Sequence, residues 1–176
     1  MTTGHAKSLL ILTGSMGAGK TAVLGEASDL LMQRRIVHAA IDLDALGVAC
    51  LPSETGADDV MYENLRTVYE NYSALGVQRF LVARAMEHAG ELARCREVIP
   101  SAEVMVCRLR ASVEVMKSRV EMREPGTLLA QRVARVATLD AALDRVHLED
   151  FSVANENRSL RQVALDVLVR AGWVSC

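Results

Sequence analysis

The octapeptide Gly14-Ser15-Met16-Gly17-Ala18-Gly19-Lys20-Thr21 constrains this chain more than any other segment. It reads G-x-x-x-x-G-K-[ST] without deviation and follows SLLILT, Ser8 to Thr13, a buried-strand pattern. Lys20 to Arg34 then carries helical periodicity, so the loop lies between a strand and a helix N-terminus. Small residues there let successive backbone N–H groups curl around an anion, and the helix start adds partial positive charge. The pattern predicts a β-phosphate cradled by the backbone of residues 14–19, with Lys20 reaching the β- and γ-phosphates of a nucleotide, ATP or GTP, and the Thr21 hydroxyl on Mg²⁺. An overlapping G-x-G-x-x-[GA] reading, Gly17 to Ala22 with Asp42 or Asp44 as a ribose-binding acid, fits less well. A dinucleotide loop turns at its first glycine directly after the strand, whereas Gly14, Ser15 and Met16 intervene here.

Beyond the loop, short β-rich runs alternate with longer helical stretches. Strands are expected at Ser8–Thr13, Ile36–Leu43, Gly76–Ala83, Glu103–Leu109 and Asp150–Ala154. Helices are expected at Asp58–Tyr72, Ala85–Arg96, Ser112–Arg123, Leu128–Val146 and Ser159–Ala171. This alternation implies right-handed βαβ crossovers and a parallel sheet covered on both faces, an α/β class. The length of 176 residues fits one domain spanning 1–176. A hydrophobic fraction of 51% excludes disorder. A net charge of −2 and an aromatic fraction of 3% argue against a nucleic-acid partner. No apolar run approaches membrane length and the start lacks a signal-peptide pattern, so the expectation is a cytoplasmic protein without a membrane partner. Cys50, Cys95, Cys107 and Cys176 are scattered, without a C-x-x-C pair, and read as reduced thiols, mostly core.

Charge is segregated along the chain. Ile41 to Gln78 carries seven acids against the single base Arg66, whereas Arg79 to Arg135 carries eleven Lys/Arg against seven Glu. The first segment suits a cation or a proton, the second phosphates; both also suit solvated helix faces. Asp42 and Asp44 read as the end of the second strand, pointing the same way by alternation and facing the ligand crevice at the C-terminal edge of the sheet. Asp42, nearer the strand body, is expected beside Mg²⁺-bound water or an attacking hydroxyl, and Asp44 beside other polar groups of an acceptor. Which of them acts as base stays open. Arg119 and Arg123 share a helix face at i, i+4. Arg84 and Arg94 suit an anionic or hydroxyl-rich acceptor, or else surface ion pairs. A guanine-reading N-K-x-D is missing, and no hydrophobic run ends in the Asp-Glu of a motor ATPase.

With these motifs the chain resembles the small P-loop kinases of the shikimate, gluconate and adenylylsulfate kinase type, together with antibiotic-modifying phosphotransferases of that fold. Asp42-Leu43-Asp44 is similar to the acidic D-x-D of shikimate kinases, and Leu92-Ala93-Arg94 before Pro100 to the substrate-side arginine of gluconate kinase-like proteins. Arg119 and Arg123 in SRVEMREPG resemble arginines entering a mobile lid, here about 119–138 with Pro125-Gly126 as a hinge. Asn155 to Ser159, including Arg158, resembles an adenine-contacting loop. The resemblance implies strand order 2-3-1-4-5 and transfer of the γ-phosphate of ATP to a hydroxyl of a small acceptor. It leaves open an antibiotic-inactivating, self-resistance role and, further off, a regulatory P-loop NTPase. The glycine triplet of shikimate kinases is replaced by Ala83-Arg84-Ala85, so the acceptor is not defined. The helical stripe Leu129, Val133, Val136, Leu139 or Asp140, Leu143 and Val146 suits lid-to-core packing or a dimer interface, giving a monomer or a homodimer.

Overall fold

A computed structural model describes residues 7–50, 56–123 and 126–175. Strand β1 (Ser8–Thr13) lies at the centre of a five-stranded sheet, between β3 (Arg79–Ala83) and β4 (Glu103–Arg110). Strands β2 (Ala39–Asp42) and β5 (Phe151–Ala154) form the edges. Every pairing is parallel and the order is 2-3-1-4-5, as the family resemblance implied. Among the described residues seven helices accompany the strands: α1 (Lys20–Gln33), α2 (Leu43–Leu46), α3 (Ala57–Ala74), α4 (Ala89–Val98), α5 (Val113–Arg123), α6 (Leu129–Val146) and, after the last strand, α7 (Leu160–Arg170).

The unbroken apolar run of β1 follows from burial on both faces. Leu10 and Leu12 pack with Val23 and Leu30 of α1 and Val163 and Val167 of α7, while Leu9 and Ile11 pack with Met61 and Leu65 of α3 and Cys95 of α4. A strand covered on both faces needs no polar alternation. The stripe on α6 faces inward, with Val136, Leu139 and Leu143 buried; Met116 and Val120 of α5 join the α1 side of the core. Residues 119–138 therefore include segments docked against the body. Pro125, half of the expected hinge, lies outside the described residues, as does Cys176. Cys95 and Cys107 are buried, which pushes each thiol up to about 12, and Cys50 is exposed.

Element boundaries differ from the expectations where side chains redirect the backbone. Strand β2 is four residues long rather than eight, because Arg35 takes a left-handed turn (φ 56°) and His38 bonds the Ile36 carbonyl and Ser28. Helix α4 starts at Ala89 rather than Ala85. Met86 N–H donates to Thr13 Oγ1 at 2.9 Å, and Glu91 accepts from Glu87 N–H, so residues 84–88 stay irregular. The acidic pair is also redirected. Only Asp42 belongs to β2, where it caps α2 by accepting from Asp44 N–H at 3.2 Å. Asp44 is helical, so strand alternation does not orient the two carboxylates. A short polar side chain at a strand end favours the helix cap over one more extended residue. Among the described residues no helix is long and apolar enough to cross a membrane.

Candidate nucleotide and acceptor site

The loop after β1 closes tightly because two of its glycines have no room for a side chain. Gly17 (φ 78°) would place a Cβ 2.2 Å from the Met116 carbonyl oxygen, and Gly19 (φ 95°) would place one 2.2 Å from Asn155 Nδ2. Both the backbone conformation and the contact require glycine. Three elements brace the loop from outside. Ser15 Oγ donates to the Val136 carbonyl of α6 at 2.8 Å, and Asn155 Nδ2 donates to the Ala18 carbonyl at 2.8 Å. Arg119 of α5 donates to the carbonyls of Gly17 (3.2 Å) and Asn155 (2.8 Å). Among the described residues no side chain caps α1, so its first N–H groups are left without a side-chain acceptor, as an anion-binding helix start requires.

Lys20 Nζ folds back onto the carbonyls of Gly14 (3.0 Å) and Ser15 (3.2 Å). Burial pushes its ammonium below the usual lysine range; Asp44 and Asp42 oppose that shift, and Arg123 adds to it. Thr21 Oγ1 donates to Asp42 Oδ2 at 2.7 Å, which sets a hydroxyl and a carboxylate side by side next to the phosphate loop. Such hard oxygen donors fit Mg²⁺, which takes one or two protein oxygens and completes its shell with phosphate oxygens and water.

Asp44 turns the other way. Its carboxylate accepts from Arg84 Nη1 at 2.6 Å. Arg84 also meets Asp58 (3.2 Å) and the buried Glu91 (3.2 Å). Desolvation works against the guanidinium charge, but the Asp44 hydrogen bond and the Glu91 and Asp58 carboxylates outweigh it and push its pKa up. These residues line a cavity of about 530 Å³ that also takes in Lys20, Met16 and Glu87, with Arg135 of α6 paired to Glu87 at 2.5 Å. Of the arginines singled out in the sequence, Arg84 lines this cavity. Arg123 lies near enough to oppose the Lys20 charge. Arg94 is outside the lining: it pairs with Asp59 at 2.8 Å and lies over the Tyr62 ring. Arg158 is bound to Asp166 (3.0 Å) and to the carbonyls of Ala154 and Gln162, bracing the start of α7.

Several participants carry no recognisable motif. Asp58, Glu87, Glu91 and Arg135 reach the cavity from α3, the β3–α4 connection, α4 and α6, and only the fold joins them. Arg108 did leave a signal, a charge inside the apolar run EVMVCRLR. It is fully buried, and its guanidinium pairs with Asp140 (2.7 Å), Asp144 (2.8 Å) and Glu149 (3.6 Å), tying β4 to α6.

No protein-family model matches this chain, and comparison with curated proteins finds no match by sequence. Solved structures match along nearly its whole length. A gluconokinase from Sinorhizobium meliloti 1021 superposes with a TM-score of 0.63 at 16% identity, covering 96% of this chain and 93% of that one. The shikimate kinase from Acinetobacter baumannii, in complex with shikimate, gives 0.60 at 19% identity over 92% and 91%. The Mycobacterium tuberculosis APS kinase CysC, in complex with AMPPNP and APS, gives 0.61 at 20% identity over 93% and 96%. The fold is that of the small P-loop kinases.

Proposed function

We propose that this protein is a small-molecule kinase that transfers the γ-phosphoryl group of ATP to an acceptor hydroxyl. The observation that carries the reading is the junction of two environments at Lys20: the glycine loop with the Thr21–Asp42 pair on one side, and the cavity bearing Asp44 and Arg84 on the other. A phosphate donor and an alcohol acceptor would meet at that lysine.

Backbone N–H groups of residues 14–19 hold the β-phosphate, and Lys20 leaves its resting carbonyls to follow charge onto the γ-phosphoryl oxygens. Thr21 and Asp42 would hold Mg²⁺, which would supply charge neutralisation to the phosphates. Arg123 adds positive charge on the lid side, and Arg119 keeps the loop in shape through the Gly17 carbonyl. As the acceptor oxygen bonds to the γ-phosphorus, the bond to the bridging oxygen breaks and ADP leaves. The hydroxyl proton passes to the exposed Asp44 carboxylate and on to solvent. A loose transition state asks little base strength, so orientation is the larger contribution of Asp44. A self-resistance enzyme acting on an antibiotic hydroxyl would use the same donor chemistry and differ in acceptor alone.

The test is ADP release from MgATP with and without a pool of hydroxyl-bearing metabolites. The kinase reading expects acceptor-dependent ADP, abolished by Lys20→Ala. A slow ADP release that no acceptor accelerates would identify a regulatory NTPase instead.

A further inference from the structure

We infer that the acceptor is a positively charged hydroxyl compound, in class an amino sugar or amino alcohol, and not a sugar acid or other anion. The inference rests on the kinase reading and concerns the charge of the acceptor half of the site. With Lys20 assigned to the phosphates, the titratable groups lining the cavity are the carboxylates of Asp44, Asp58, Glu87 and Glu91, the guanidiniums of Arg84 and Arg135 and the imidazole of His88. Carboxylates outnumber guanidiniums two to one. Both guanidiniums are already engaged, Arg84 by three carboxylates and Arg135 by Glu87.

An anionic acceptor would therefore have to take Arg84 from partners held in place by the fold. Glu91 is the firmest of them. It is buried, and its other oxygen accepts from Glu87 N–H at the start of α4, so it cannot swing away without uncapping that helix. The excess of negative charge then repels the incoming anion, in a cleft whose low-dielectric walls strengthen the effect. An ammonium group meets the opposite field. Asp44 and Asp58 have exposed side chains that each bond Arg84 through Oδ1 alone, and a carboxylate has lone pairs left to accept from an ammonium as well; both belong to the acid-rich segment between Ile41 and Gln78. The hydroxyl of such an acceptor would lie beside Asp44, where the phosphoryl transfer described above balances without a further reactant.

The experiment uses three sugars of one ring size and three charges: D-glucosamine, D-glucose and D-glucuronate. Binding of each to the full chain is titrated at pH 6, where the amine is protonated, by following the backbone amide shifts of Asp44, Asp58 and Arg84. Titrations are run with and without AMPPNP and Mg²⁺. The expected order is glucosamine tightest, glucose between and glucuronate weakest, with at least a tenfold separation of the extremes. Asp58→Asn should narrow that separation at least threefold. Glucuronate binding as well as or better than glucosamine, or a separation unchanged by Asp58→Asn, would overturn the inference. Failure of AMPPNP to bind would count against the kinase reading alone, because the ranking of the sugars is also read without nucleotide.

Discussion

Thr21 Oγ1 and Asp42 Oδ2 lie 2.7 Å apart, joining the first turn of α1 to the end of β2. The contact brings together two residues separated by 21 positions, which on the kinase reading proposed above would hold Mg²⁺. Asp42→Asn keeps the shape and one of the two accepting oxygens but removes the charge. It should lower kcat about 100-fold or more while raising the Mg²⁺ concentration needed for half-maximal rate. Steady-state kinetics across a Mg²⁺ series checks this. Asp44→Asn should lower kcat as well as raise the acceptor KM, because Asp44 both takes the hydroxyl proton and orients the acceptor, while the Mg²⁺ requirement stays near wild type.

Lys20 gives a prediction with opposite signs for stability and binding. Its folded-state pKa is lowered below the ordinary 10.5, chiefly by burial, so the charged form is penalised in the folded protein without nucleotide. That penalty is complete below the depressed pKa and is relieved as pH rises from there to 10.5. Lys20→Met should therefore raise the Tm of the nucleotide-free protein at neutral pH, and the gain should shrink as pH approaches 10.5. The same variant should lose most of its affinity for ATP. Thermal melts over a pH series, paired with calorimetric titration of ATP, measure both.

Gly17→Ala would drive a methyl group to 2.2 Å from the Met116 carbonyl at a left-handed φ. The loop and α5 would have to separate, taking the Arg119–Gly17 contact with them. Nucleotide affinity should fall by an order of magnitude or more while the far-UV circular dichroism stays near wild type, because the clash lies outside the sheet core.

Arg108→Met removes the cation that faces Asp140, Asp144 and Glu149. The cost should be about 3–5 kcal/mol, since Asp140 loses its cation while mostly buried and Glu149, also buried, keeps only His147 at 3.4 Å. Urea denaturation with an unchanged m-value checks it. Hydrogen exchange in α6 should rise ahead of the rest of the chain, because β4 no longer anchors that helix.

The glycine-loop half of the candidate site was legible because it is local: eight consecutive residues carry the glycines, the lysine and the hydroxyl, flanked by their strand and helix. The sheet was legible for a related reason, since burial on both faces leaves continuous apolar runs such as Leu9 to Leu12. The acceptor half was not. Asp58, Glu87, Glu91 and Arg135 come from four places in the chain and meet only after folding, so no spacing announces them. Asp44 misled because capping by Asp42 ended β2 two residues before Asp44, so strand alternation does not reach it. Arg94 and Arg158 are drawn off by Asp59 and Asp166, carboxylates that sequence distance did not connect to them.

The central claim is that the γ-phosphoryl group leaves ATP for an alcohol and not for water. Phosphorus-31 NMR of the wild-type protein with MgATP and a pool of hydroxyl-bearing small molecules reads this directly. The account predicts a phosphomonoester resonance growing in step with ADP, lost in Lys20→Ala. Growth of inorganic phosphate alone, at a rate no acceptor changes, would contradict it.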